Sequence, residues 1–144
     1  MPRVYVSSII PAPAVDVWRI IRDFNALPTW TPFAADSRIE GGKASDQIGC
    51  IRDFRLEDGG VIREKLLALS DYDLSCSYAI LDSPMGVTDY MATLSLTPVT
   101  ETNATFAEWT ADFGCAPDRE AALVAQIDQG VFQAAFTALK QRFR

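Results

Sequence analysis

The spacing of apolar residues divides this chain into four zones: a strand, a pair of short helices, a long run of strands and a final helix. Arg3 to Ile10 is rich in β-branched residues and reads as a strand that stops at Pro11-Ala12-Pro13. Ala14, Val17, Trp18 and Ile21 then fall at i, i+3, i+4 and i+7, one face of a helix whose other side carries Asp16, Arg19 and Arg22. Pro13 suits the first helical position, where the missing amide has no intrahelical partner, and the helix is expected to end near Phe24-Asn25. A second helical turn spans Ala26 to Trp30, hemmed in by the prolines at 28 and 32.

From Asp36 to Phe113 the period is two, broken by turn residues. Strands are expected near Ser37 to Glu40, Gln47 to Leu56, Val61 to Ser70, Leu74 to Leu81, Thr88 to Pro98 and Asn103 to Phe113. The connections are Gly41-Gly42, Asp58-Gly59-Gly60, Asp71-Tyr72-Asp73, Ser83-Pro84-Met85-Gly86 and Thr100-Glu101-Thr102. After Pro117 the helical period returns, with Asp118 and Glu120 in the first turn and Lys140, Arg142 and Arg144 in the last, as the helix dipole favours. Leu123, Ile127, Val131, Ala134, Ala135, Ala138 and Leu139 form its apolar stripe. Such a helix has about 25 residues and spans on the order of 37 Å.

A seven-stranded antiparallel sheet with one solvated face must bury the other, and only the last helix is long enough to lie across it. The expected class is therefore α+β: a curved sheet wrapped around a long C-terminal helix, with two short helices between strands 1 and 2. A curved sheet leaves space beneath the helix unless large side chains fill it. With 144 residues and no repeat, low-complexity tract or charge block, residues 1–144 read as one domain.

Composition narrows the chemistry. Thirteen basic residues against nineteen acidic ones leave a net charge of −6, the wrong field for a phosphate backbone or an anionic membrane, so nucleic acid is excluded as a partner. There is no histidine, which removes Ser-His-Asp and Cys-His catalysis and histidine metal sites. Cys50, Cys76 and Cys115, an odd set without CxxC spacing, point to a reduced compartment. The N-terminus runs directly into a strand pattern and no apolar run approaches membrane-spanning length, which predicts a cytoplasmic protein without an integral membrane segment. The acidic turn residues Asp71 and Asp73 lack a loop of ligands at metal spacing, and the Gly-Gly pairs sit in strand connections with no helix after them. No metal and no nucleotide cofactor is implied.

Alternation assigns the inward side chains. A three-residue loop Asp58-Gly59-Gly60 makes Leu56 face Ile62, Phe54 face Glu64, Arg52 face Leu66 and Asp53 face Lys65. The mostly apolar set then points inward and takes Arg52 and Glu64 with it as diagonal neighbours. An ionised carboxylate alone there would cost several kcal/mol, so Glu64 should pair with Arg52, hold water or keep its proton. By the same rule Cys76, Tyr78 and Ile80, then Tyr90, Ala92, Leu94 and Leu96, then Ala107, Trp109, Ala111 and Phe113 face in. The candidate ligand-contacting set is Arg52, Phe54, Leu56, Glu64, Leu66, Tyr78, Ile80, Tyr90, Ala92 and Trp109 from the sheet, with Leu123, Ile127 and Val131 from the helix. Phe54 and Trp109 equally suit ordinary core packing. Tyr78 and Tyr90 carry hydroxyls that must find partners.

The chain resembles the START-like (SRPBCC) superfamily, and within it the bacterial polyketide cyclase/dehydrase-like group. The likeness is carried by Ile10-Pro11-Ala12-Pro13-Ala14-Val15-Asp16-Val17-Trp18, Asp23-Phe24, Trp30, Gly49-Cys50-Ile51-Arg52, Asp58-Gly59, Glu64-Lys65-Leu66, Asp89-Tyr90, and Trp109 before Phe113, in order through nearly the whole length. The resemblance implies the helix-grip fold shared with the birch-pollen allergen and plant hormone receptors. In those receptors the glutamate of the E-x-L strand and the tyrosine of the N/D-Y strand line the ligand pocket, which corresponds to Glu64 and Tyr90 here. The alternative is a buried ion pair that only sets the sheet's register.

Three functions compete. Binding or carriage of a small hydrophobic molecule, such as a lipid, polyketide or isoprenoid, needs only the cavity. A cyclase or dehydratase would use Glu64 as general acid or base, with Arg52 or Tyr90 polarising a carbonyl; it requires a raised Glu64 pKa, which Arg52 opposes. A protein-interaction role would need a large exposed apolar patch, and none is readable. The turns at Ser83-Pro84-Met85-Gly86 and Asp58-Gly59-Gly60 either flank the cavity mouth as gates or are plain surface turns.

Overall fold

Seven antiparallel strands form one sheet in the order β1-β7-β6-β5-β4-β3-β2. The computed structural model describes all residues, Met1–Arg144. The strands are β1 (Arg3–Ile10), β2 (Ala34–Ile39), β3 (Ile51–Leu56), β4 (Val61–Ser70), β5 (Ser75–Asp82), β6 (Thr88–Val99) and β7 (Ala104–Gly114). Strands 2 to 7 are a continuous meander, and β1 closes onto β7. Two short helices, α1 (Ala14–Ile21) and α2 (Leu27–Trp30), separate β1 from β2. Pro13 caps α1 from outside instead of occupying its first turn, and the helix buries Ala14, Val17, Trp18 and Ile21 as their spacing predicts. The inner faces of β6 and β7 bury Tyr90, Ala92, Leu94, Leu96, Ala107, Trp109, Ala111 and Phe113. This is the helix-grip arrangement.

Two differences from the sequence expectation have clear causes. The third strand starts at Ile51 rather than Gln47 because Gly49 takes φ 92°, and Cys50 N–H closes a turn onto the Gln47 carbonyl at 3.0 Å. The β3–β4 loop is Glu57-Asp58-Gly59, not Asp58-Gly59-Gly60. Gly59, at φ 92°, fills the left-handed third loop position, and Gly60 is already paired, its carbonyl accepting from Leu56 N–H at 2.8 Å. Moving the loop by one residue moves the register by two. Arg52 therefore faces Glu64 directly, Phe54 faces Ile62 and Asp53 faces Arg63. A slip of two keeps every side chain on its face, which is why the inward assignments hold.

The C-terminal helix departs from a regular α-helix. It runs from α3 (Glu120–Ala125) through a π-helical stretch (Gln126–Gln133) into α4 (Ala134–Arg142). Leu123 and Ile127 face the sheet four apart, but the next fully buried residue is Phe132, five further on, rather than Val131. The π-stretch inserts one residue into the helical period, so the expected stripe drifts off the core there. Phe132 and Phe136 take the inward positions and pack against Trp109, with ring centroids 4.2 Å and 5.6 Å away. No helix is long and apolar enough to cross a membrane.

The two ends of the sheet are held differently. At the β4–β5 turn, Asp71 accepts from Trp18 Nε1 at 2.8 Å and from Arg22 Nε at 2.8 Å, tying α1 to that hairpin. Arg22 also reaches Asp46 in the β2–β3 connection at 3.6 Å. At the other end the β3–β4 and β5–β6 turns lie side by side: a Cβ at Gly60 would stand 3.4 Å from Pro84 Cγ.

The π register makes a testable contrast. Phe132→Ala should lower unfolding free energy by about 3–5 kcal/mol, whereas Val131→Ala, at a half-buried position, should cost under about 1.5 kcal/mol. Urea denaturation of the two variants reads the difference, and a regular α-helix predicts the reverse order.

Candidate functional site

A cavity of about 340 Å³ lies between the inner face of β3 to β7, the α2 segment and the π-stretch. Its walls are mostly apolar. Phe54 and Leu56 come from β3, Ile62 and Glu64 from β4, and Tyr78 and Ile80 from β5. Tyr90 and Trp109 close the far side, with Ile127 and Val131 overhead. Glu57, Asp58 and Met85 place both nearby turns at the rim.

Irregularities in the strands aim these side chains. The β4–β5 register shifts between Arg63 and Glu64, and the β6–β7 register shifts between Thr88 and Met91, where Asp89 adopts φ 49°. An extra residue in a strand reorients the side chains beyond it. Thus Thr88 is exposed while Tyr90, two residues on, is buried against the cavity.

Four of the expected residues stand elsewhere. Leu66, Ala92 and Leu123 are buried in the core cluster without bordering the cavity. Arg52 lies behind Glu64. Conversely, Leu27, Pro32, Phe33, Gln126 and Gly130 border it and lie outside the expected set. The apolar cluster at Leu27, Pro32 and Phe33 is a usable signal in the sequence. Gln126 and Gly130 stand three positions after Leu123 and Ile127 on the same helical face, an amide and a glycine that an apolar stripe passes over.

Arg52 and Glu64 form the polar end. Arg52 Nε and Nη2 reach the same oxygen, Glu64 Oε1, at 2.7 Å and 2.6 Å. Nη1 donates to the Phe24 carbonyl at 3.2 Å. The guanidinium carbon lies 3.9 Å from the Phe24 ring centre and 4.9 Å from that of Tyr78, close enough for cation–π attraction. Both side chains of the pair are 7% exposed. No fully buried side-chain oxygen lacks a partner, so Glu64 Oε2, which the pair leaves free, opens on the cavity. Burial outweighs the opposing pull of Arg52 and holds the Glu64 carboxyl above the ordinary range.

Beside it, Trp109 Nε1 donates to Tyr78 Oη at 3.1 Å. Burial raises the Tyr78 and Tyr90 hydroxyls far above their ordinary values, and the Glu64 charge adds to the shift. Both stay protonated. Burial also pushes the Cys76 thiol up to about 11, which removes it as a nucleophile near neutral pH. The cavity thus offers one carboxyl oxygen and phenolic hydroxyls set in apolar walls, and no cation lines it.

A curved sheet gripping a C-terminal helix around such a hollow is the architecture of the START-like class. Residues 1–144 match the family described as polyketide cyclase / dehydrase and lipid transport, and the chain belongs to that family. Among solved structures it is similar to the protein XoxI from Bacillus cereus, 28% identical over 99% of this chain and 96% of that one, with a TM-score of 0.88. A Thermobifida fusca protein is also 28% identical, over 99% and 93% of the two chains, with a TM-score of 0.89. Norcoclaurine synthase from Thalictrum flavum, solved with dopamine and hydroxybenzaldehyde, shares the fold at 19% identity over 98% and 85% of the chains, with a TM-score of 0.76.

Arg52→Met leaves the Glu64 carboxyl buried and unpaired, and should cost about 3–5 kcal/mol, while Arg52→Met/Glu64→Leu should be near neutral. Glu64's folded pKa lies above its unfolded one, so the unfolded chain gives up that proton first as pH rises. Its contribution to stability is complete below the ordinary glutamate range and is lost up to the raised folded value. Removing Arg52 widens this window. The single variant's deficit should therefore grow as pH rises through it, and the double variant should lack that slope in chemical denaturation.

Proposed function

We propose that this chain binds a small hydrophobic molecule in the cavity between the sheet and the C-terminal helix, as a carrier or receptor. The carrying observation is a hollow of about 340 Å³ with apolar walls and a free carboxyl oxygen at one end. Left dry, such a volume would cost about 8 kcal/mol at roughly 24 cal/mol per Å³, comparable to the whole net stability of a domain. Water or a guest occupies it. Its size falls within the range of small-molecule sites, and the mix of apolar wall and few polar groups is the usual composition.

A catalytic reading has one observation in its favour. Burial raises the Glu64 carboxyl and Oε2 opens on the cavity, as a general acid or base for cyclisation or dehydration requires. Arg52 does not border the cavity, so a carbonyl there would be polarised by Tyr90 alone. With one candidate proton carrier and no second group to complement it, binding ranks first.

Mass spectrometry of the purified protein under native and then denaturing conditions should find a small apolar molecule retained in the first and lost in the second. Gly130→Leu, which adds a side chain where a Cβ meets nothing nearer than Gln126 Cγ at 4.0 Å, should abolish that retention while the chain stays folded. Retention unaffected by Gly130→Leu would place the guest elsewhere. For the catalytic reading, Glu64→Gln should eliminate turnover of a candidate substrate and spare its binding.

A further inference from the structure

The charge balance of the cavity discriminates among guests more sharply than its apolar walls do. Arg52 is turned to its own partners: Nε donates to Glu64 Oε1, Nη2 stands 2.6 Å from the same oxygen in the ion pair, and Nη1 donates to the Phe24 carbonyl. The guanidinium also lies against the rings of Phe24 and Tyr78, and it does not border the cavity. No other lysine or arginine does so either, whereas Glu57 and Asp58 stand at the rim. A carboxylate or phosphate entering would meet three acidic side chains and no available cation. Only the neutral donors of Tyr90 and Gln126 would offset its desolvation.

An ammonium group fares little better. Arg52 and Glu64 together carry no net charge, so the pair cannot repay the burial of a further cation. A neutral hydroxyl is the group the site accommodates. It gives one hydrogen bond to Glu64 Oε2, an acceptor strengthened by its charge, and loses little hydration.

Volume sets the size. Some 340 Å³ of cavity stands at the low end of the range for small-molecule sites and suits a compact guest. The flat side chains Phe54, Tyr78, Tyr90 and Trp109 along the wall suit an aromatic body.

We propose that the cavity selects a compact, uncharged aromatic alcohol or phenol whose hydroxyl donates to Glu64 Oε2, and rejects carboxylates, phosphates and ammonium compounds of the same shape. This rests on the binding function proposed above and adds the chemical class of the ligand.

Calorimetric titration with four probes of one shape tests it: 2-naphthol, 2-methoxynaphthalene, 2-naphthoate and 2-naphthylmethylammonium. The expected result is 2-naphthol at least tenfold tighter than each of the others. In Arg52→Met/Glu64→Leu, which keeps an apolar wall without the acceptor, the naphthol-to-methoxynaphthalene ratio should fall to about one while both still bind. Binding of 2-naphthoate or the ammonium probe as tight as that of 2-naphthol, or a ratio unchanged in the double variant, overturns the selectivity and leaves the binding function standing. If none of the four probes binds the wild-type chain, the aromatic-alcohol class fails, while the binding function stands or falls on the retained molecule sought by mass spectrometry.

Discussion

The arginine at position 52 is the constraint around which the cavity is organised. A guanidinium on the inner face of a sheet needs acceptors for its donors and cover for its faces. It finds Glu64 across the β3–β4 ladder, the Phe24 carbonyl beyond α1, and two aromatic rings. Phe24, Glu64 and Tyr78 belong to three different segments. Satisfying one buried cation therefore brings the first helical connection, two adjacent strands and β5 into a single arrangement, and it leaves one carboxyl oxygen of Glu64 turned toward open space. A hydrocarbon pair in the same place could hold the strands equally well, but it would give the hollow no polar end.

Much of this is legible in the chain. Alternation identifies the buried faces of β5, β6 and β7, and the placement of Arg52 and Glu64 inside comes from Phe54, Ile62 and Leu66 sharing their parity. The register of that hairpin is not legible, because two adjacent glycines, Gly59 and Gly60, offer two positions for the left-handed residue and composition does not choose between them. Parity absorbs the error. In the last helix there is no such protection. One added residue between Ile127 and Phe132 turns the later stripe, so Ala135 and Leu139 stay buried as expected while periodicity gives the alanines at 134 and 138 a role that Phe132 and Phe136 perform. Periodicity reports the average turn of a helix and is blind to a single wider one.

The family and the similar bacterial structures place this chain on a scaffold whose sheet and helix are constant, while chemistry resides in the few polar side chains that face the hollow. Here those are Glu64, two tyrosines, an indole and the Gln126 amide, with Glu57 and Asp58 at the rim and no histidine in the whole chain. Burial sets the ionisation ranges of Glu64, Tyr78 and Tyr90.

The anchoring of α1 by Asp71 bears on how anything enters. β4 has ten residues, so its two ends stand about 30 Å apart at roughly 3.3 Å per residue. At one end Asp71 fastens the turn to Trp18 and Arg22. At the other, the turns carrying Asp58 and Met85 lie side by side at the cavity rim, the first held by Glu57 N–H donating to the Phe33 carbonyl at 3.1 Å. The two ends of the sheet therefore differ in kind: charged hydrogen bonds clamp the Asp71 end to α1, and the rim of the hollow lies at the opposite end.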